Sequence, residues 1–181
     1  MELEFLHALQ ELRSDLLDKI VLFLTSLGNG GFLWILISVL LMVVPAIGKE
    51  TKEDKEKRRK TGICMFLSLA ITAIIVNVIL KNSVQRLRPF QVDSSIIPLI
   101  TPGEYSFPSG HSASSFAAAT CILLRHWKFG IFAMLFAGVI AFTRLYLFVH
   151  FPTDVLAGML VGTLCAVGVC ACIKKKEGGG N

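Results

Sequence analysis

TGICMFLSLAITAIIVNVIL, Thr61 to Leu80, runs its whole length without a charged residue. About 20 apolar residues in a helix rise roughly 30 Å, the thickness of a bilayer's hydrocarbon core. The flank before it is opposite in character, since KETKEDKEKRRK, Lys49 to Lys60, is almost wholly charged. The flank after it, Lys81 to Ser109, is polar and proline-rich. This stretch therefore sets the frame: a membrane crossing with a basic loop at one end and a long polar segment at the other.

The rest of the 181 residues fits that frame. The chain is 54% hydrophobic and 17% charged, against roughly 25% charged in soluble domains. Ile20 to Gly48 also lacks charge, although Gly28, Asn29, Gly30 and Gly31 interrupt it. The sequence predicts an all-α integral membrane protein, one domain over residues 1–181. Six spans are expected: Asp15–Leu27, Gly31–Gly48 (ending near Pro45), Thr61–Leu80, Gly110–Leu124, Phe129–Leu147 and Pro152–Ile173. Ahead of them, Leu3, Phe5, Leu6, Leu9 and Leu12 recur at near-helical spacing among charges. Residues 1–14 thus read as an amphipathic helix lying in the membrane interface.

The net charge of +5 is topological. It gathers in Lys49–Lys60, Arg125–Lys128 and Lys174–Lys176, blocks that offer no basic face with stacking residues for nucleic acid. Short Lys/Arg-rich loops stay cytoplasmic. Six spans put all three blocks on that side, with both termini and the 174–181 tail. The 81–109 segment and the Val149–Asp154 turn then share the extracytoplasmic face. The five cysteines fall in or near spans and read as buried free thiols. His7 and His126 are placed on the side away from that face, and EGGGN at the end reads as a flexible tail.

Three polar groups meet at the outer face: KNSVQRLRP with Lys81, Arg86 and Arg88; PSGHS with Ser109, Gly110 and His111; and TRLYLFVHFPTD with Arg144, His150 and Asp154. An arginine inside a lipid-facing helix costs roughly 2.5–3.5 kcal/mol on insertion scales, so Arg144 should face the bundle interior or a wet cavity. Lys81, Arg88 and Arg144 repel one another unless an anion joins them, and both side-chain types bind phosphate. Ser109 is a candidate N-cap, Gly110 permits close backbone approach, and the N–H groups opening the fourth span would face the same anion. Alone, PSGHS is equally a plain helix start. His150 and Asp154 are four apart, so one helical turn brings the carboxylate to an imidazole nitrogen and leaves the other free to attack phosphorus. His111 is placed to protonate the leaving oxygen and then activate water.

Lys81-x6-Arg88-Pro89, Pro108-Ser109-Gly110-His111 and Arg144-x5-His150-x3-Asp154 together resemble the three signature motifs of the type 2 phosphatidic acid phosphatase (PAP2) superfamily. The resemblance implies His150 as the nucleophile forming a phosphohistidine, Asp154 as its partner and His111 as general acid and base. It implies Lys81, Arg88, Arg144, Ser109 and Gly110 as phosphate ligands. It also implies chemistry without metal or cofactor, in keeping with an outer segment whose only acids before Asp154 are Asp93 and Glu104. Thr143 departs from the serine usual before the arginine of the third motif but keeps a hydroxyl. The expected substrate is a membrane lipid phosphate or diphosphate, by analogy undecaprenyl diphosphate, with phosphatidylglycerophosphate, phosphatidic acid, lipid A or transfer to an acceptor alcohol as alternatives. Arg86 is either a second-phosphate contact or an interfacial charge. A transporter or a silent lipid-phosphate binder are the non-enzymatic rivals.

Overall fold

A computed structural model describes residues 1–44 and 51–178. The expected end of the second span near Pro45, the start of the basic loop at Lys49 and the last three residues of the tail lie outside them. Helices account for every element, and no strand is present among the described residues. In chain order they are α1 (Glu2–Gln10), α2 (Asp15–Leu27), α3 (Phe32–Val43), α4 (Lys52–Ala73), α5 (Lys81–Val84), α6 (Pro89–Val92), α7 (Gly110–Arg125), α8 (Trp127–Tyr146) and α9 (Pro152–Gly178). A π-helical turn, Ile74–Leu80, carries α4 into α5.

Local chemistry sets the main boundaries. Thr51 and Asp54 form a reciprocal capping box that opens α4, each side chain accepting from the other's backbone N–H. Ser109 caps α7 through Ser112 N. Between α2 and α3 a single turn, Asn29–Gly31, places Gly30 and Gly31 at φ +58° and +68°, a conformation that glycine adopts without steric cost.

That turn corrects the expected span count. Among the described residues, four stretches are long and apolar enough to cross a membrane: Asp15–Val43, Lys52–Val92, Trp127–Tyr146 and Pro152–Lys175. The first joins α2 and α3, so one crossing stands where two were expected. Its contacts advance in one direction: Asp18 bonds the Tyr146 hydroxyl, Asn29 meets His111, Trp34 donates to Ser115, and Leu41 O accepts from Arg58. The glycine turn is a kink in one traverse, because two half-helices of 13 and 12 residues are each about 20 Å or less. The expected fourth span, α7, has 16 residues and is enclosed by α4, α8 and α9. Its alanines 117–119 are fully buried, and α9 crosses it where Gly158 and Gly162 approach the Ser109 and Ala113 carbonyls. Small residues drive such contacts in lipid, where apolar side chains gain little by leaving the bilayer.

The two ends of the bundle differ. Thr61 bonds His126, and Ile173 shares a surface hollow with Lys55 and Arg59, so the three basic blocks gather at one end. The N-terminal segment sits at the other. Glu2 contacts Arg86 and Thr153, His7 pairs with Asp93, and Gln10 donates to Tyr146 O. His7 therefore lies on the same end as His150, contrary to the expected placement. Leu6 and Leu9 are buried against Phe148 and Phe151, so this part of the apolar stripe covers protein, while Phe5 and Leu12 are exposed.

Candidate active site

At the end opposite the basic blocks, a cavity of about 480 Å³ collects Lys81, Arg88, Gly110, His111, Arg144 and His150. They arrive from five different elements. The π-turn delivers Lys81, and π-turns recur at functional sites because they shift the helical register. Arg88 precedes α6, Gly110 and His111 open α7, and Arg144 occupies the last turn of α8. His150 lies in the connection from α8 to α9, where buried Phe148 takes a left-handed φ of +59°. A bulky residue in that conformation is an outlier, and such outliers cluster at active sites.

Hydrogen bonds define the tautomers. Arg88 Nη1 lies 3.1 Å from His150 Nε2. Arginine only donates, so Nε2 carries the lone pair and the ring proton sits on Nδ1. Nδ1 faces Asp154 Oδ2 at 3.7 Å and Ser106 Oγ at 3.5 Å. Nε2, directed at the cations, is thus the nitrogen able to attack. Burial pushes the His150 imidazole down to about 4, with Arg88 and Arg144 acting in the same sense and Asp154 against them. His111 Nε2 lies 2.9 Å from Asn29 Oδ1, an acceptor only, which puts that ring's proton on Nε2.

Asp154 is fully buried and heavily bonded. Its Oδ2 accepts from Ser106 Oγ and from Phe151 N at 2.8 Å, and its Oδ1 accepts from Arg86 Nη1 at 2.7 Å. Arg88 is held by the carbonyls of Glu104 and Val149 at 2.7 and 2.8 Å. Arg144 donates to Thr25, while its Nε is buried without a partner. A buried guanidinium with an unused donor fits an arriving anion. Lys81 pairs with Glu104, whose carboxyl is held below the usual range by that bond.

The candidates divide clearly. Lys81, Arg88, Gly110, His111, Arg144 and His150 line the cavity, whereas Asp154 stands behind His150. Ser109 does not line it: its buried hydroxyl accepts from Ser112, closing the cap. Arg86 does not line it either. Its guanidinium is bound to Asp154, Thr153 and Glu2, 4.0 Å above the Phe151 ring. Arg86 is thus held beside Asp154, outside the cavity lining, with Nη1 and Nη2 donating to Thr153, Asp154 and Glu2. Sequence reasoning missed Thr25, Asn29 and Ser106; Asn29 alone had a signal, as a polar residue within a glycine turn that breaks an apolar run. Among the described residues no three His, Cys, Asp or Glu side chains converge as a metal-ligand set.

From the cations the cavity continues along Ile35, Phe66, Leu69 and Ala70. Ile35 and Phe66 are exposed on the outside of the bundle. A polar pocket therefore opens sideways, between α3 and α4, onto an apolar surface.

The sequence and fold are similar to those of known proteins. The sequence profile of the PAP2 superfamily matches residues 61–177. An undecaprenyl-diphosphatase of Sulfolobus acidocaldarius is 31% identical over 81% of this chain and 66% of its own length. A lipid A 4'-phosphatase of Bacteroides thetaiotaomicron is 34% identical over 57% of this chain and 51% of its own. The chain thus spans half to two thirds of the length of these relatives. The crystal structure of a transmembrane PAP2-type phosphatidylglycerolphosphate phosphatase from Bacillus subtilis superposes with a TM-score of 0.73 at 26% identity, covering 96% of this chain and 85% of that one.

Proposed function

This chain belongs to the PAP2 superfamily, and on that premise we propose that it is a membrane lipid phosphatase working through a phosphohistidine at the extracytoplasmic face. The observation that carries this reading is the continuity of the cavity, with three buried cations at one end and an apolar seam onto the lipid at the other. A phosphorylated headgroup fits the first while its tail stays in the second.

The mechanism follows from the tautomers. The phosphate settles among Lys81, Arg88, Arg144 and the N–H groups opening α7, displacing the Glu104 carboxylate. Arg88 turns its donor from His150 Nε2 to a phosphate oxygen, which frees the lone pair. Nε2 attacks phosphorus as the bond to the leaving oxygen breaks, and His111, protonated on both ring nitrogens once the phosphate anion is bound, gives its Nε2 proton to that oxygen and is left neutral. Asp154 stabilises the positive imidazole through Nδ1–H. Water, deprotonated by His111, then attacks phosphorus, releasing phosphate and restoring neutral His150.

Undecaprenyl diphosphate is the proposed substrate, giving undecaprenyl phosphate. A relative of that named activity aligns with most of this chain, and an outward site suits a carrier diphosphate released there. Gathering of the basic blocks at the opposite end supports the orientation. Phosphatidylglycerophosphate and lipid A are the competing substrates named by other relatives. The test is phosphate release from these lipids by purified protein in the presence of chelator, beside His150→Ala. The reading expects acid-labile phosphate on the parent protein and neither turnover nor label in the variant. Equal rates for the two would overturn it.

A further inference from the structure

The N-terminal helix lies outside the stretch that matches the superfamily, residues 61–177, yet it reaches the machinery behind His150. Glu2 Oε2 accepts from Arg86 Nη2 at 2.8 Å, while Arg86 Nη1 is 2.7 Å from Asp154 Oδ1. Glu2 Oε1 accepts from Thr153 N at 3.0 Å and Thr153 Oγ1 at 2.8 Å. The second pair of bonds completes a helix terminus. α9 begins at Pro152, and Phe151 before it has no side-chain acceptor for the free N–H groups of the first turn. Glu2 supplies one from another helix.

The first bond bears on the chemistry. In the phosphatase reading, Asp154 must stabilise positive charge growing on His150. An uncompensated guanidinium 2.7 Å from the same carboxylate would offset much of that charge. Glu2 neutralises Arg86 in an acid–arginine–acid chain, so the chain keeps one net negative charge on the side facing His150. We propose that Glu2, acting through Arg86, is a positioning residue for the His150–Asp154 pair. The proposal rests on the reading of His150 as nucleophile.

Glu2→Gln keeps the size and an acceptor for Thr153 but removes the charge. The other groups facing His150 are Lys81 on α5, Arg88 before α6, Glu104 in the 93–109 connection, His111 on α7, Arg144 on α8 and Asp154 on α9, and none of them changes. Loss of a negative charge disfavours the protonated imidazole. The acid limb of kcat/KM should therefore move to lower pH, while kcat falls about tenfold and KM stays constant. In the Glu2→Gln/Arg86→Met double variant no cation is left uncompensated, so the limb should return to its parental position. His7→Gln loosens the same helix at Asp93 without touching the chain of charges and should leave both parameters unchanged. Parental kcat and pH limb in Glu2→Gln would overturn the proposal. So would equal losses in Glu2→Gln and His7→Gln, which would reduce the helix to a support. Turnover surviving in His150→Ala would instead remove the nucleophile reading, and the proposal with it.

Discussion

Ser106→Ala tests the chemistry behind His150 without entering the cavity. Ser106 is fully buried, its hydroxyl donates to Asp154 Oδ2, and it stands 3.5 Å from His150 Nδ1. A hydrogen bond to a charged group contributes about 1.5–3 kcal/mol. Asp154 keeps Phe151 N and Arg86 as donors, so the lower end applies. A loss of about 1.5 kcal/mol in the transition state is roughly a tenfold fall in kcat. KM should not move, because Ser106 does not line the cavity. The assay is steady-state phosphate release in detergent micelles of constant composition, with melting of the variant followed in parallel. An unchanged kcat, or a raised KM with kcat intact, would refute the assignment of Ser106 to the Asp154–His150 pair.

Other outcomes are expected. Because burial lowers the His150 pKa to about 4, the proposed nucleophile is mostly neutral near pH 6.5, and the acid limb of kcat/KM should fall near pH 4 and not near 6.5. The same shift has a stability consequence: unfolded histidine takes its proton near pH 6.5, so this contribution to stability fades as pH falls from about 6.5 to about 4 and is constant above, which melting temperatures across that window will read. Glu104→Gln frees Lys81 from its carboxylate partner. Inorganic phosphate should then inhibit about fivefold more tightly, matching an ion pair of about 1 kcal/mol, and an unchanged inhibition constant would contradict that. Ala70→Trp fills the seam between α3 and α4, raising KM for a lipid substrate about tenfold while leaving hydrolysis of a water-soluble phosphate ester intact; equal effects on both would refute the side opening.

The site was legible for a physical reason. Lys81, Arg88, Arg144, His150 and Asp154 are costly in an apolar chain unless they meet, so their positions along the spans already implied convergence. What stood behind them was not legible. Ser106 and Asn29 are ordinary polar residues in loops, and only the fold brings them to Asp154 and His111. Ser109 illustrates the reverse, since its hydroxyl had two reasonable uses and the cap took it. The span count failed at GNGG because hydropathy marks where a helix breaks but not whether the chain then reverses. Read as a reversal, the break implied two crossings and moved the N-terminus to the wrong end. The stripe of the first helix is less specific, for a helix apolar on one side looks alike whether lipid or, as at Leu6 and Leu9, Phe148 lies beneath it.

The seam along Ile35, Phe66 and Ala70 changes what concentration means for this protein. A substrate that arrives sideways never leaves the bilayer, so encounter is a search in two dimensions. For the lipid phosphatase proposed above, the governing quantity is the number of phosphorylated lipids per unit of membrane area, not their amount per volume of water. Adding inert lipid at fixed substrate should slow turnover as surely as removing substrate, and enlarging the aqueous volume should leave it untouched.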